Sequence, residues 1–229
     1  MPGRRIVSLE FDDGFRRSCG AVAEIYERLG LSASFSVLAA PEEGAWVREP
    51  LIAPRPRGDF DLWNRLRRRG HCVMPHGYRH ADKSQLPLAE AQTLILACLR
   101  RFERDLEGFQ ARRSLFAFPY NRSTPPLEAW MPGQVGAFRI SGEALHPLPA
   151  PGLGKLTCGA FGPGNCETDL NGQVERLLAQ PEGWLIYNLH GLDDEGWGPV
   201  RTAYLEDLLA RLLAAGVRVE PAARVLGLD

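Results

Sequence analysis

The chain has 229 residues, 45% of them hydrophobic and 24% charged, with a formal net charge of −1; that is enough to bury a sizeable core in one barrel-like α/β domain or two small ones. The balanced charge excludes whole-molecule attraction to nucleic acid or acidic membranes, and no stretch approaches the ~20 apolar residues that span a bilayer. The five cysteines, Cys19, Cys72, Cys98, Cys158 and Cys166, are odd in number and lack CxxC spacing, so buried free thiols are expected and not a zinc knuckle or disulfide framework.

Met1 to Arg5 runs directly into the first strand, with no apolar h-region or cleavage site, which gives the expectation of a cytoplasmic protein. That strand is Arg5 to Asp12. A helix near Arg17 to Leu29, stopped by Gly30, leads to a second strand at Ser34 to Leu38. The segment Pro41 to Arg57 then reads as a long irregular loop with Trp46 in its middle. A helix over Phe60 to Arg69, ended by Gly70, precedes a third strand at Cys72 to Pro75. The arginines 65, 67, 68 and 69 are expected on a solvated face, with favourable charge at a helix C-terminus.

The spacing of Leu94, Ala97, Cys98 and Phe102 predicts an amphipathic helix over Leu88 to Leu106. Strands follow at Ser114 to Phe118, Gly136 to Ile140 and near Leu156 to Phe161. The helix Leu170 to Ala179 leads to the strongest strand, Trp184 to Leu189; a last helix, Arg201 to Ala215, and a short run, Val217 to Glu220, close the chain. Alternating strands and helices without an internal repeat or linker predict one α/β domain over 1–229. The expected fold is a distorted or incomplete (β/α) barrel of seven or eight parallel strands.

The polar groups fall on one side of that scheme. Asp12 and Asp13, His76, Pro119-Tyr120 and His190 each lie just past the C-terminal end of a predicted strand, the rim where β/α barrels build their sites. Pro119 and the loop Leu192 to Val200, with Asp193 and Trp197, are expected to face substrate there. Trp46 and Trp197 read either as walls of a substrate groove or as plugs that pin their own loops.

His76 and His80 are four residues apart, so in a helical turn both rings would face one way and share a cation. Asp13 would complete a set of two imidazoles and one carboxylate. Such a set suits Zn²⁺, while Co²⁺, Ni²⁺, Mn²⁺ and Fe²⁺ accept it too, and three protein ligands leave positions open for catalysis. The adjacent Asp12 is then free to act as a base, because a cation on Asp13 relieves the repulsion between neighbouring carboxylates. His190 fits the acid that protonates a leaving nitrogen at neutral pH. His71 and His146 are expected to be structural or solvent-facing.

The order Phe11-Asp12-Asp13-Gly14, His76-x-x-x-His80, Pro119-Tyr120 and Leu189-His190 resembles the NodB-homology polysaccharide deacetylases across nearly the whole chain. The resemblance implies a metal-dependent carbohydrate esterase on a distorted barrel that hydrolyses the N-acetyl group of a hexosamine. It implies Asp12 as base, Asp13, His76 and His80 as metal ligands, His190 as acid, and the Tyr120 backbone N–H as part of an oxyanion site. Three positions depart from the pattern. Glu10 and Gly77 stand where the family usually has Ser or Thr, and Ala117 replaces an arginine that orients the base. That arginine's own Asp partner is not evident either.

Arg139, in the otherwise apolar run Gly136-Ala137-Phe138-Arg139-Ile140, is expected either to replace the lost arginine beside Asp12 or to reach solvent from its strand end. The expected substrate is an acetylated amino sugar or glycan intermediate, preferably a cytoplasmic one from lipopolysaccharide or capsule assembly. The alternatives are hydrolysis of another amide, such as a cyclic imide or small acetylated amine, and a carbohydrate-binding protein with a relic site.

Overall fold

The computed structural model describes residues 4–43 and 55–228. Among these residues, nine strands and seven α-helices follow one another. The first half runs β1 (Arg5–Asp12), α1 (Arg16–Arg28), β2 (Ser34–Val37), α2 (Phe60–Arg68), β3 (Cys72–Pro75), α3 (Leu88–Asp105), β4 (Leu115–Ala117) and α4 (Pro125–Trp130). The second half runs β5 (Ala137–Ser141), β6 (Leu145–His146), β7 (Lys155–Cys158), α5 (Cys166–Leu178), β8 (Gly183–Leu189), α6 (Thr202–Ala214), β9 (Arg218–Val219) and α7 (Ala222–Val225).

The parallel ladders join β3-β2-β1-β8 in one sheet and β4-β5-β7 in another. A parallel bridge between Gly159 and Tyr187 connects β7 to β8, with Gly159 N–H donating to Ile186 O at 3.1 Å and Asn188 N–H to Gly159 O at 2.8 Å. Seven parallel strands thus follow one another in chain order around an incomplete barrel. The break lies between β3 and β4. Among the described residues no ladder joins them, and the Leu115 N–H meets only the Met74 sulfur, at 3.5 Å. Short β9 also runs parallel to β1, at Ile6 and Val7, below the stretch that pairs with β2.

Alternation along β1 sorts the two faces. Val7, Leu9 and Phe11 belong to the large cluster under the helices, with Val22, Tyr26, Phe35 and Leu209. Ile6 points the other way, into a smaller cluster with Met74, Leu115, Ala137, Leu156 and Trp184 that fills the barrel. Ser8, Glu10 and Asp12 continue Ile6's face upward, so this interior turns polar toward the rim. Trp184 Nε1 donates to Ser8 Oγ at 2.9 Å, and Ser8 in turn to the Glu220 carbonyl at 2.6 Å. Ser8 and the Trp184 indole are thereby both satisfied inside the barrel, as a close-packed interior favours.

Element positions follow the sequence reading to within a few residues, with three differences. The buried face of α3 is Ala91, Ile95, Cys98, Leu99 and Phe102; Leu94 and Ala97 lie at its edge, because the helix meets the sheet one position round from the predicted stripe. Strand β6 pairs antiparallel with β8, and its two residues are too few to leave a periodicity. Helix α4 begins with two prolines, a run that reads as loop until its first-turn geometry is known. All five cysteines are buried and free. Arg68 and Arg69 form surface ion pairs with Glu107 and Glu27, and among the described residues no helix is long and apolar enough to cross a membrane.

Candidate active site

The end of β1 delivers two carboxylates into one small space. Asp12, the last strand residue, points into the barrel; Asp13 follows with φ of 75°, a left-handed conformation that Asp tolerates better than most residues. This turn swings the Asp13 side chain across the rim. There it meets His76, which follows β3, and His80, which follows four residues later.

Asp13 Oδ1 lies 3.4 Å from His76 Nε2 and 3.4 Å from His80 Nε2. The segment 76–80 is not the helical turn that the spacing suggested. It is an irregular bend, with φ of 106° at Gly77, and it aims both rings at Asp13 by a different route. His76 Nδ1 is 3.0 Å from the Ala117 carbonyl, so the proton sits on Nδ1 and the Nε2 lone pair faces Asp13.

The ligating atoms of Asp13, His76 and His80 all fall within 4.8 Å of one another. Asp13 Oδ1 is buried and has no hydrogen-bond partner. Burial disfavours the Asp13 carboxylate, but His80, His76 and His190 outweigh it and hold the carboxyl well below the usual range. Burial likewise pushes His80 down, to about 3, against the pull of Asp13. An ionised acid facing two imidazoles, with an orphaned oxygen at the centre, is a donor set that fits a divalent cation.

Asp12 is held from the opposite side. Arg139, fully buried on β5, places Nη2 at 2.6 Å from both Asp12 oxygens, and its Nη1 lies 3.2 Å from Cys158 Sγ. Burial opposes the guanidinium charge, yet Asp12 raises the Arg139 pKa above its ordinary value. Of the two expectations for Arg139, the structure places it beside Asp12 and not in solvent. Asp12 Oδ2 is also 3.9 Å from His76 Nδ1, so base candidate and ligand candidates adjoin.

His190 ends β8 on the same rim, its ring packed edge-on against Trp197 with centroids 5.5 Å apart. Burial pushes His190 below its ordinary value, while Asp13 and Asp12 pull it upward. Tyr120 and Asn121 both have positive φ, 57° and 52°, a strained pair that projects Tyr120 outward. Its ring is 54% exposed and lies 4.4 Å from the His80 ring. Pro119, beneath it, is buried.

The substrate-wall expectations fare unevenly. Asp193 accepts from Thr202 N–H at 2.9 Å and from Thr202 Oγ1 at 2.7 Å. Both oxygens thus hold the first residue of α6. Its neighbour Glu195 is buried and accepts from the Ser18 N–H and hydroxyl at 2.8 and 2.6 Å, fastening the 191–200 loop to α1. Trp197, half-buried, stands between this loop and the site. Trp46 lies outside the described residues. His71 and His146 are away from the site: His71 accepts from Ala33 N–H at 3.1 Å, and His146 Nε2 is 2.9 Å from the Thr157 carbonyl.

Two contributors escaped the sequence reading. Asn188, buried, accepts from Asn121 Nδ2 at 2.9 Å and so ties the Pro119-Tyr120 turn to β8. Glu10, one inward position below Asp12, accepts from Ser34 Oγ at 2.6 Å and from Ala222 N–H at 2.9 Å. The signal for both was there: a polar residue breaking an apolar strand at a position that faces inward.

No family model and no curated protein matches the chain by sequence. Solved structures do match it by shape. The Bc1960 peptidoglycan N-acetylglucosamine deacetylase superposes with a TM-score of 0.66 at 14% identity, over 99% of this chain and 90% of that one. The chitin deacetylase of Colletotrichum lindemuthianum gives 0.63 at 17% identity, over 100% and 91%. BA3943 of Bacillus anthracis, described as a CE4-family pseudoenzyme, gives 0.59 at 15% identity, over 99% and 66%. The fold is therefore the NodB-homology type of the family 4 carbohydrate esterases, with its polar cluster on the C-terminal rim.

Proposed function

We propose that the chain is a metal-dependent carbohydrate N-deacetylase. The observation that carries this reading is the convergence of Asp13, His76 and His80 on one buried point beside Asp12. The solved structures of the same fold include peptidoglycan and chitin deacetylases, which supports an acetylated sugar as substrate. Asp13, His76 and His80 would hold the ion, Zn²⁺ in the first instance. When bound, it supplies Lewis-acid polarisation of the amide carbonyl and acidification of water.

The remaining steps belong to the side chains. Asp12 takes the proton of the attacking water, and Arg139 keeps its carboxylate aimed. The backbone N–H of Tyr120 donates to the carbonyl oxygen as negative charge develops there. His190 gives its proton to the departing nitrogen. A C–O bond forms, the C–N bond breaks, and the products are acetate and a free amine. Tyr120 and Trp197 flank the opening, with faces suited to the apolar side of a sugar ring. The substrate class we favour is an acetylated amino sugar or soluble glycan intermediate.

A relic carbohydrate-binding site is the second reading. Ala117 favours it, since the family's base-orienting arginine is gone, and so does a pseudoenzyme among the matching folds. Metal analysis followed by an acetate-release assay on N-acetylhexosamine monomers and oligomers separates the two. Stoichiometric metal with acetate release supports the deacetylase. Metal without release from any of these sugars or from small amides would overturn it in favour of the relic.

A further inference from the structure

Close enough to His80 to act on it electrostatically sits a residue that the chemistry above does not use. Lys83 is fully buried, and its Nζ has one hydrogen-bond acceptor, the Ala81 carbonyl at 3.4 Å. The Phe116 ring centroid is 5.8 Å away. Burial pushes the ammonium down to about 8. A buried charge with so little compensation is destabilising relative to an apolar side chain of the same length. As core filling, Leu or Met would be the stable choice.

The position of Nζ shows what the lysine does instead. A Cβ built on Gly77 would come within 2.8 Å of Lys83 Nζ, closer than real Cβ contacts, and within 3.4 Å of Pro119 Cγ. Gly77 has φ of 106°, a conformation that favours glycine. It lies between the two ligand histidines. Its carbonyl accepts from Ala39 N–H at 3.0 Å, and Cys98 is hydrogen-bonded to its backbone from below. Lysine ammonium, Cys98 sulfur and the β2 extension thus enclose a residue that has no side chain of its own.

We propose that Lys83 is a positioning residue for the metal site: its ammonium occupies the volume a side chain at position 77 would fill, and from there holds the 76–81 bend that aims His76 and His80 at Asp13. The inference rests on the metal-site reading and extends it to a residue touching neither ligand. Position 77 and position 83 form one unit, so that changes at the two are not independent.

The test uses the full-length protein stripped of metal. Co²⁺ titration followed by visible absorption reads both affinity and coordination geometry in the wild type, K83M, K83Q and G77A. K83M and K83Q are expected to bind Co²⁺ at least tenfold more weakly and with a changed spectrum. G77A is expected to be weaker still, because the positive φ at position 77 strains any side chain there and its Cβ would also meet Nζ. If K83M does not fold, K83Q reads in its place. Wild-type affinity and spectrum in the Lys83 variants would overturn the proposal. A wild-type protein that binds no Co²⁺ would instead sink the metal site itself.

Discussion

Ala117 and Arg139 are register partners on adjacent strands β4 and β5, and the arginine reaches Asp12 from the second of them. The pattern this sequence resembles has an arginine at the position of Ala117; here the guanidinium that reaches Asp12 stands one strand further round the barrel. A buried ion pair of this kind resists single-residue change, because removing one partner leaves the other charged and unsolvated. Coupled replacement leaves neither stranded.

Arg139→Met is expected to lower turnover by about 10- to 100-fold, the effect of losing a hydrogen-bonded positioning partner. It should also destabilise the protein by about 3–5 kcal/mol, the cost of orphaning a buried charge. Metal content should stay at the wild-type level, since Arg139 contacts none of the three ligand candidates. The double variant A117R/R139A, which returns the guanidinium to β4, should recover part of the lost rate. Steady-state kinetics beside metal analysis checks both, and a wild-type rate for R139M would remove Arg139 from the mechanism.

Asp13→Asn keeps a side chain that tolerates the left-handed backbone at position 13 and removes only the carboxylate. Zinc at a hundred times its Kd stabilises a binding-competent protein by about 2.7 kcal/mol. Wild type should therefore melt at a higher temperature with Zn²⁺ than after chelation, and D13N at the same temperature in both. A D13N protein still stabilised by Zn²⁺ would place the ion elsewhere.

His190 is held below its ordinary value mainly by burial, and Trp197 packs on its ring. An acid must be protonated to act, so a lowered pKa puts the alkaline limb of kcat/KM on the acid side of the ordinary histidine value of ~6.5. Trp197→Ala admits water to the ring and should move that limb upward. His190→Asn should cost about 10²- to 10⁴-fold in kcat with metal content intact. A pH profile unchanged by W197A would mean that another group titrates there.

Much of this was legible in the sequence because parallel strands, buried on both faces, write themselves as apolar runs, and the first polar residue after each run marks the rim. Asp12, Asp13, His76 and His190 were found that way, and Arg139 stood out as a charge inside an apolar strand. Other features depend on contacts that no local pattern encodes. Asp193 looks like a groove residue until Thr202, nine positions later, is seen to take both its oxygens. Lys83 leaves no local signal, because only tertiary packing buries it. The bend that brings His80 to Asp13 is not helical, so the two histidines come together by a local geometry other than the one the spacing suggested.

Glu10 offers a test of the barrel interior that is independent of activity. Burial raises its pKa, with Arg139, Ser34 and the Ala222 N–H acting against that shift. A carboxyl whose folded pKa lies above its unfolded value stabilises fully below the unfolded value, 4.5 in this case, and loses that contribution as pH rises through the folded one. Glu10→Gln keeps the shape and can serve both partners, accepting from Ala222 N–H and donating to Ser34 Oγ, without a charge to bury. Urea midpoints for wild type and E10Q should coincide most closely near pH 4.5 and diverge above it, with E10Q the more stable. The gap should grow with pH and then level off once Glu10 is fully ionised in the folded protein. If E10Q instead becomes less stable than wild type as pH rises, the ionised carboxylate is itself a required counter-charge for Arg139, and the ion pair at Asp12 is one half of a three-group network running down the inside of β1.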